Sequence, residues 1–216
     1  MVTTLLIVRH GISVTNREKR YTGHRDVPLA PLGYAQGRAV SRYLLENYKI
    51  DAVYASDLCR AVETIRPLAD ALSLPVNQRR GLREIFLGDW EGKTYEEVKA
   101  LYPETYAMLK TARYLARYEG GESYAEAYER VKTAFLSIAR ENEGKTVAIC
   151  SHGGAIRIFL AFVLGLPFEA GNDGVPKVCN ASLTAVEIEG ENMRLLFGGE
   201  ESYLAGLTEE VNGELH

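Results

Sequence analysis

The sequence predicts a three-layer α/β/α sandwich around a mostly parallel, mixed sheet. Two observations carry that prediction. Short runs of β-branched and apolar residues alternate with segments of helical periodicity, the pattern of strands that cross over through helices into a parallel sheet. The chain is 216 residues long, enough for one domain that covers both faces of such a sheet. A single domain over 1–216 is therefore expected, with a lid-like insertion at 85–125 and an acidic tail at 200–216.

Thr3 to Val8 reads as a buried strand, followed by a polar loop from Ile12 to Leu29. Pro31-Leu32-Gly33 looks like a helix start, because proline suits the first helical position, and leads into Ala35–Tyr48. Ala52–Ala55 is a second strand, Asp57–Leu72 a second helix, and Val76–Glu84 a short extended piece. The pattern then loosens into short helices rich in Tyr and charge, where a lid would lie over a site. The tyrosines Tyr95, Tyr102, Tyr106, Tyr114, Tyr118 and Tyr124 read as packing on short helices rather than as a recognition cage. Tyr124–Asn142 is amphipathic, with Val131, Phe135 and Ile138 at helical spacing. A strand to Cys150, an apolar helix Ala155–Leu164 and a hairpin turning at Gly190 complete the core. Beyond Arg194 there is no Lys or Arg while glutamates accumulate, so the tail is expected to be loosely ordered.

Composition excludes several classes. A formal net charge of −4 gives no field to attract nucleic acid or an anionic membrane. The longest apolar stretch, Ile158–Leu164, is far short of the roughly 20 residues of a membrane helix. Cys59, Cys150 and Cys179 are odd in number and show no C-x-x-C spacing, and no signal peptide is evident, so a cytoplasmic location is expected. No metal site and no cofactor are expected, since none of the four His stands in a zinc-binding spacing. Oligomeric state is not legible.

Arg9-His10-Gly11 ends the first strand, and Ser151-His152-Gly153-Gly154 ends a later one. Open α/β sheets bind ligands outside the carboxyl ends of their strands. If these strands are neighbours, two imidazoles and an arginine meet at one point. A histidine that attacks phosphorus must be neutral and faced by cations. Arg9 can give two parallel hydrogen bonds to phosphate oxygens, and Gly11 lets the backbone approach the ligand. Arg60 lies in the first turn of its helix, whose N-terminus also favours an anion. The leaving oxygen needs a proton, for which Glu84 is the first candidate and Glu91, in Gly88-Asp89-Trp90-Glu91-Gly92, the competitor. Arg113 and Arg117 are four apart and would share a helix face, within reach of a second acidic group on the substrate. Asn180-Ala181-Ser182 is a glycosylation sequon without consequence in the cytosol.

These elements, in this order, resemble the histidine phosphatase superfamily, the phosphoglycerate mutase-like fold, over nearly the full length. The match comprises Arg9-His10-Gly11 with Ser13 and Asn16, Tyr21-Thr22-Gly23 with Asp26, Leu32-Gly33 with Gln36, and Ser56 to Arg60 with Thr64. It continues through Leu82 to Glu84, Gly88 to Gly92, Gly120 to Ser123, and Ser151 to Gly154 with Arg157. The resemblance implies that His10 is the phosphorylated nucleophile and that Arg9, Arg60 and His152, flanked by Gly153, form the phosphate pocket. Asn16 would help bind phosphate, Thr22 and Gly23 would line the entrance, and Glu84 would donate the proton. Ile12, Thr15 and His24 depart from the mutase pattern, and the Gly-Asp-Trp-Glu-Gly run resembles the phosphatase branch, including alpha-ribazole phosphatase and broad-specificity enzymes. The implied activity is hydrolysis of a small phosphorylated metabolite without metal or cofactor. A phosphoglycerate mutase-type transfer and a non-catalytic phospho-ligand binder are the alternatives.

Overall fold

The computed structural model describes residues 1–171 and 173–207. Six strands form one sheet in the order β3-β2-β4-β1-β5-β6. Strands β1 (Thr3–Arg9), β2 (Ala52–Ala55), β3 (Val76–Gln78) and β4 (Thr146–Ser151) run parallel. Strands β5 (Leu183–Glu189) and β6 (Asn192–Glu200) form an antiparallel hairpin on the far side of β1.

Strand β1 is apolar from Leu5 to Val8 because both its faces are covered there, as parallel strands require. Leu5 and Ile7 pack towards α6 (Tyr124–Glu141) and α7 (Gly153–Val163), while Leu6 and Val8 pack towards α2 (Pro31–Asn47) and α3 (Cys59–Leu72). The two cores are the outer interfaces of the expected three layers. Among the described residues no helix is long and apolar enough to cross a membrane.

The pairing of β1 with β4 matters most for the site. Arg9 lies opposite Ser151 in register, so His10 and His152 leave the sheet side by side. His10 then donates its backbone N–H to the Ser151 carbonyl at 2.9 Å. Gly11 departs from its expected role. A Cβ there would sit 2.5 Å from the Gly33 carbonyl oxygen, so the glycine serves the close approach of α2 rather than of a ligand.

Other boundaries differ from expectation. The extended piece is shorter than 76–84: β3 ends at Gln78 and a 3-10 turn occupies Arg80–Leu82. The short helices α1 (Val14–Arg17), α4 (Tyr95–Leu101) and α5 (Pro103–Thr111) fill the loops above the sheet. Order also reaches further into the acidic tail than its charge suggests. Glu200 closes β6, a 3-10 turn follows at Ser202–Leu204, and the Tyr203 hydroxyl donates to the Ala181 carbonyl at 2.6 Å. The remainder of the expected tail, 208–216, lies outside the described residues.

Candidate active site

The site is built at the carboxyl ends of β1 and β4. His10 and His152 are buried, with ring centroids 5.1 Å apart and planes tilted by 57°. The His10 Nδ1–H donates to the Gly11 carbonyl at 2.7 Å. A carbonyl only accepts, so the proton stays on Nδ1 and Nε2 keeps its lone pair. Burial, then the nearby Arg60 and Arg9 charges, hold the His10 imidazole well below its ordinary pKa. His152 is held down in the same way, by burial first and then by Arg60. Both rings are therefore neutral at physiological pH, the state a nitrogen nucleophile needs.

The cations are held by backbone rather than by carboxylates. Arg60, almost fully buried, donates from its two terminal nitrogens to the carbonyls of Gly23 and Arg25, each at 2.8 Å. Arg9 donates from Nη1 to the Val178 carbonyl at 2.9 Å. Their Nε atoms, and both ring nitrogens of His152, are buried without a hydrogen-bond partner. Buried donors that lack protein partners are uncommon, and the Nε–H groups of Arg9 and Arg60, on two residues that line one cavity, mark a place that satisfies an anion's oxygens; His152 does not line that cavity, and its neutral ring carries one N–H and one lone pair.

That cavity, of about 200 Å³, brings together Arg9, His10, Asn16, Arg60 and Glu84, with Thr22 and Gly23 at its edge. Asn16 is the third residue of α1, whose capping box with Ser13 commits the Asn16 Oδ1 to the Ser13 N–H at 3.1 Å. Its Nδ2 is the part with protons to offer an anion. The Thr22 hydroxyl bonds the Thr15 hydroxyl at 2.6 Å, which ties the entrance loop to α1. Gly153 lines the neighbouring chamber instead, where a Cβ would come within 3.2 Å of the Arg9 Nε.

Glu84 and Glu91 separate by geometry. The Glu84 carboxylate sits at the N-terminus of α7, accepting from the N–H groups of Gly154 at 3.0 Å and Ala155 at 3.1 Å. A Cβ on Gly154 would fall 2.4 Å from the Glu84 Oε1, so glycine is required for the carboxylate to take this seat. Glu91 is occupied elsewhere. Its Oε1 accepts from the backbone N–H of His24 at 2.7 Å and of Leu87 at 3.2 Å, binding the entrance loop to the lid.

Three residues not assigned to the site from sequence hold it in place. Arg130 on α6 donates to the carbonyls of Gly81, Arg83 and Glu84, each at 3.0 Å, and pairs with Glu122. His24 donates from Nε2 to the same Glu84 carbonyl at 2.7 Å and packs on Phe86. Asn180, read as an idle sequon, donates from Nδ2 to the His10 carbonyl at 3.0 Å. A polar residue at the entrance of a strand next to β1 was the available signal for Asn180. Nothing in the local pattern marked Arg130, which falls beside the apolar stripe of its helix.

The lid is built around Trp90, which is fully buried. Tyr118 meets it edge-on at 5.1 Å and Tyr102 stacks on it at 5.9 Å, as the packing reading of the tyrosines expects. The indole N–H is satisfied by the Glu119 carboxylate at 2.8 Å. Arg113 and Arg117 do not share a helix face. Arg113 opens a 3-10 turn, and the exposed Arg117 pairs with Glu126, away from the site.

The fold and the strand-exit pocket define a class: an α/β protein whose sheet ends in a cationic pocket beside two buried histidines. The chain belongs to the histidine phosphatase superfamily, whose branch 1 model matches residues 5–199. It is 37% identical over 155 residues to "Phosphoglycerate mutase-like protein 4" of Arabidopsis thaliana, covering 71% of this chain and 67% of that protein. To "Phosphoserine phosphatase 1" of Hydrogenobacter thermophilus it is 32% identical, covering 75% and 76%. The solved structure of Bacillus stearothermophilus YhfR superposes with a TM-score of 0.88 at 31% identity, over 94% of this chain and 99% of that one.

Proposed function

We propose that the protein hydrolyses small phosphomonoesters through a phosphohistidine formed on His10. One observation carries the reading: the hydrogen bond from His10 Nδ1–H to Gly11, which leaves Nε2 nucleophilic in a pocket lined by the unpartnered Nε–H groups of Arg9 and Arg60. Nε2 attacks phosphorus, the ester P–O bond breaks, and Glu84 gives its proton to the leaving alkoxide. The phosphorylated imidazole carries positive charge, which the Gly11 carbonyl eases through Nδ1–H. Water then attacks phosphorus, the P–Nε2 bond breaks with its electron pair returning to the imidazole, Glu84 takes the water's proton, and phosphate leaves with His10 restored. Arg9, Arg60, Asn16 and His152 hold the three phosphoryl oxygens, work that dominates phosphoryl transfer because little covalent chemistry is asked of the protein. Thr22 and Gly23 form the entrance.

The phosphatase name of the Hydrogenobacter relative supports hydrolysis over transfer. The cytosolic setting is part of the reading, supported by three cysteines that all remain thiols. The test is phosphate release from a panel of phosphomonoesters with EDTA present, with labelled substrate quenched in base to trap the phosphoenzyme. Wild type should release phosphate and retain label, and His10→Ala should lose on the order of 10^4-fold in rate and all label. Turnover without label in wild type, or label retained by His10→Ala, overturns the covalent step. Exchange that depends on a bisphosphate primer, without net phosphate release, would make the protein a mutase.

A further inference from the structure

The turn that leads into β5, residues 178–182, grips the exit of β1 at several points. The Val178 carbonyl takes the Arg9 Nη1–H at 2.9 Å, and the Ala181 N–H donates to the Arg9 carbonyl, also at 2.9 Å. Asn180 reaches further. Its Nδ2 donates to the carbonyls of His10 at 3.0 Å and Gly11 at 3.3 Å, and to the Asn16 Oδ1 at 3.3 Å. Carbonyls only accept, so chemistry fixes which end of the Asn180 amide faces them.

Two groups of the pocket depend on that amide. The Gly11 carbonyl is the acceptor that keeps the proton on His10 Nδ1, and Asn180 holds the carbonyls on both sides of Gly11, setting the direction of that acceptor. The Asn16 Oδ1 accepts from Asn180 and from the Ser13 N–H, so its Nδ2–H groups are left for the cavity it lines.

The turn is held under strain. Ala181, fully buried, has φ +57°, a left-handed conformation that a residue with a Cβ adopts at a cost. One side chain from the end of the sheet secures it. The Tyr203 hydroxyl donates to the Ala181 carbonyl at 2.6 Å, and its ring packs on Tyr43 of α2 with centroids 4.7 Å apart. Removing the hydroxyl takes this partner from the carbonyl of a buried residue. Tyr203 itself does not line the cavity.

We propose that Asn180 and Tyr203 are positioning residues for His10: Asn180 aims the Gly11 carbonyl and the Asn16 amide, and Tyr203 locks the turn that carries Asn180. The effect on rate rests on the hydrolysis reading. The effect on the His10 proton does not.

Asn180→Ala and Tyr203→Phe test it by two readouts. NMR of protein with isotope-labelled histidine reports the His10 ring directly, its signal assigned by loss in His10→Ala. Wild type should show one sharp Nδ1-protonated form, and both variants should broaden it or shift part of the population to the Nε2-protonated form. The kcat/KM for glycerol 3-phosphate and for p-nitrophenyl phosphate should fall by a common factor, roughly 30- to 100-fold in Asn180→Ala and roughly tenfold in Tyr203→Phe. A displaced nucleophile is felt with either leaving group. An unchanged ring signal in Asn180→Ala overturns the proposal whatever the rates do, and an unchanged signal in Tyr203→Phe overturns the lock. Rate loss confined to the alkyl ester would place the effect on Glu84 and overturn it as well. Asn180 is half-buried, so Asn180→Ala keeps the test valid if Tyr203→Phe fails to fold. Turnover of none of a broad ester panel by wild type overturns the hydrolysis reading and leaves the ring signal to decide the positioning.

Discussion

The two chambers meet at Arg9 and Glu84, yet they are built on different principles. In the pocket around His10 the arginines, the nucleophile candidate and the carboxylate are tied to backbone: Arg9 to Val178, Arg60 to Gly23 and Arg25, His10 to Gly11, Glu84 to Gly154 and Ala155. In the neighbouring chamber the cations Arg113, Arg157 and Lys177 come from a 3-10 turn, a helix and an irregular loop, without ion pairs among the described residues. Backbone attachment fixes an atom to within a fraction of an ångström, which chemistry at phosphorus needs. Side chains on loops adjust, which recognition tolerates and divergence exploits. The two adjoining spaces thus differ in how their charged groups are anchored.

The strongest way to break this contrast is at Glu84. Glu84→Gln should lower kcat for alkyl phosphates by roughly 10^2- to 10^4-fold, and by much less for p-nitrophenyl phosphate, whose leaving group needs no proton. Glu91→Gln should show no such leaving-group dependence and should instead lower thermal stability, since Glu91 ties His24 and Leu87 together. Equal leaving-group sensitivity in the two variants would remove Glu84 as the acid.

A smaller effect is expected one shell out. Arg130→Met frees the carbonyls of Gly81, Arg83 and Glu84 and should cost roughly 10-fold in kcat with the same leaving-group dependence as Glu84→Gln. An Arg130→Met rate loss that is identical for alkyl and p-nitrophenyl esters would show that Arg130 supports the fold without positioning the acid.

The pH dependence of stability sharpens the comparison further. His10 and His152 are held neutral in the folded protein, whereas the unfolded chain takes up protons near pH 6.5. The unfolded state therefore binds more protons as pH falls below about 6.5, and stability present above that pH is lost, by up to about 1.4 kcal/mol per pH unit for each ring. Burial also lowers the His24 pKa, adding in the same direction. Urea unfolding at pH 7.0 and 5.5 should show this slope in wild type and less of it in His152→Gln. An equal slope in both would mean that His152 is not held neutral.

How much of this was legible in the sequence follows from how local each signal is. Arg9, His10 and His152 stand at the ends of apolar runs, so strand-exit geometry announced them. Arg60 was readable from its place one turn into a helix after a strand. Glu84 and Glu91 are seven residues apart in an irregular segment, and only the seat at the start of α7 tells them apart. Arg117 was misplaced because i, i+4 spacing presumes a helix that α5 does not continue beyond Thr111. Lys177 and Asn180 belong to a loop without periodicity, where function depends on which strand lies alongside. Trp90 was found as part of a motif, but its use as the centre of the lid is a matter of long-range packing among tyrosines.

Strand β1 carries a consequence for how the protein is made. It lies in the middle of the sheet, yet its neighbours are β4 and β5, whose residues come more than a hundred positions later. During synthesis the run Thr3-Thr4-Leu5-Leu6-Ile7-Val8 leaves the ribosome with no strand to pair with, and stays so until residues 146–189 have followed. The segment that bears His10 is translated well before its partners in the sheet and is among the last to be shielded. An apolar, β-branched stretch left open for that long is a template for association between nascent chains. The yield of active protein should therefore track chaperone supply and elongation rate more closely than the stability of the finished molecule.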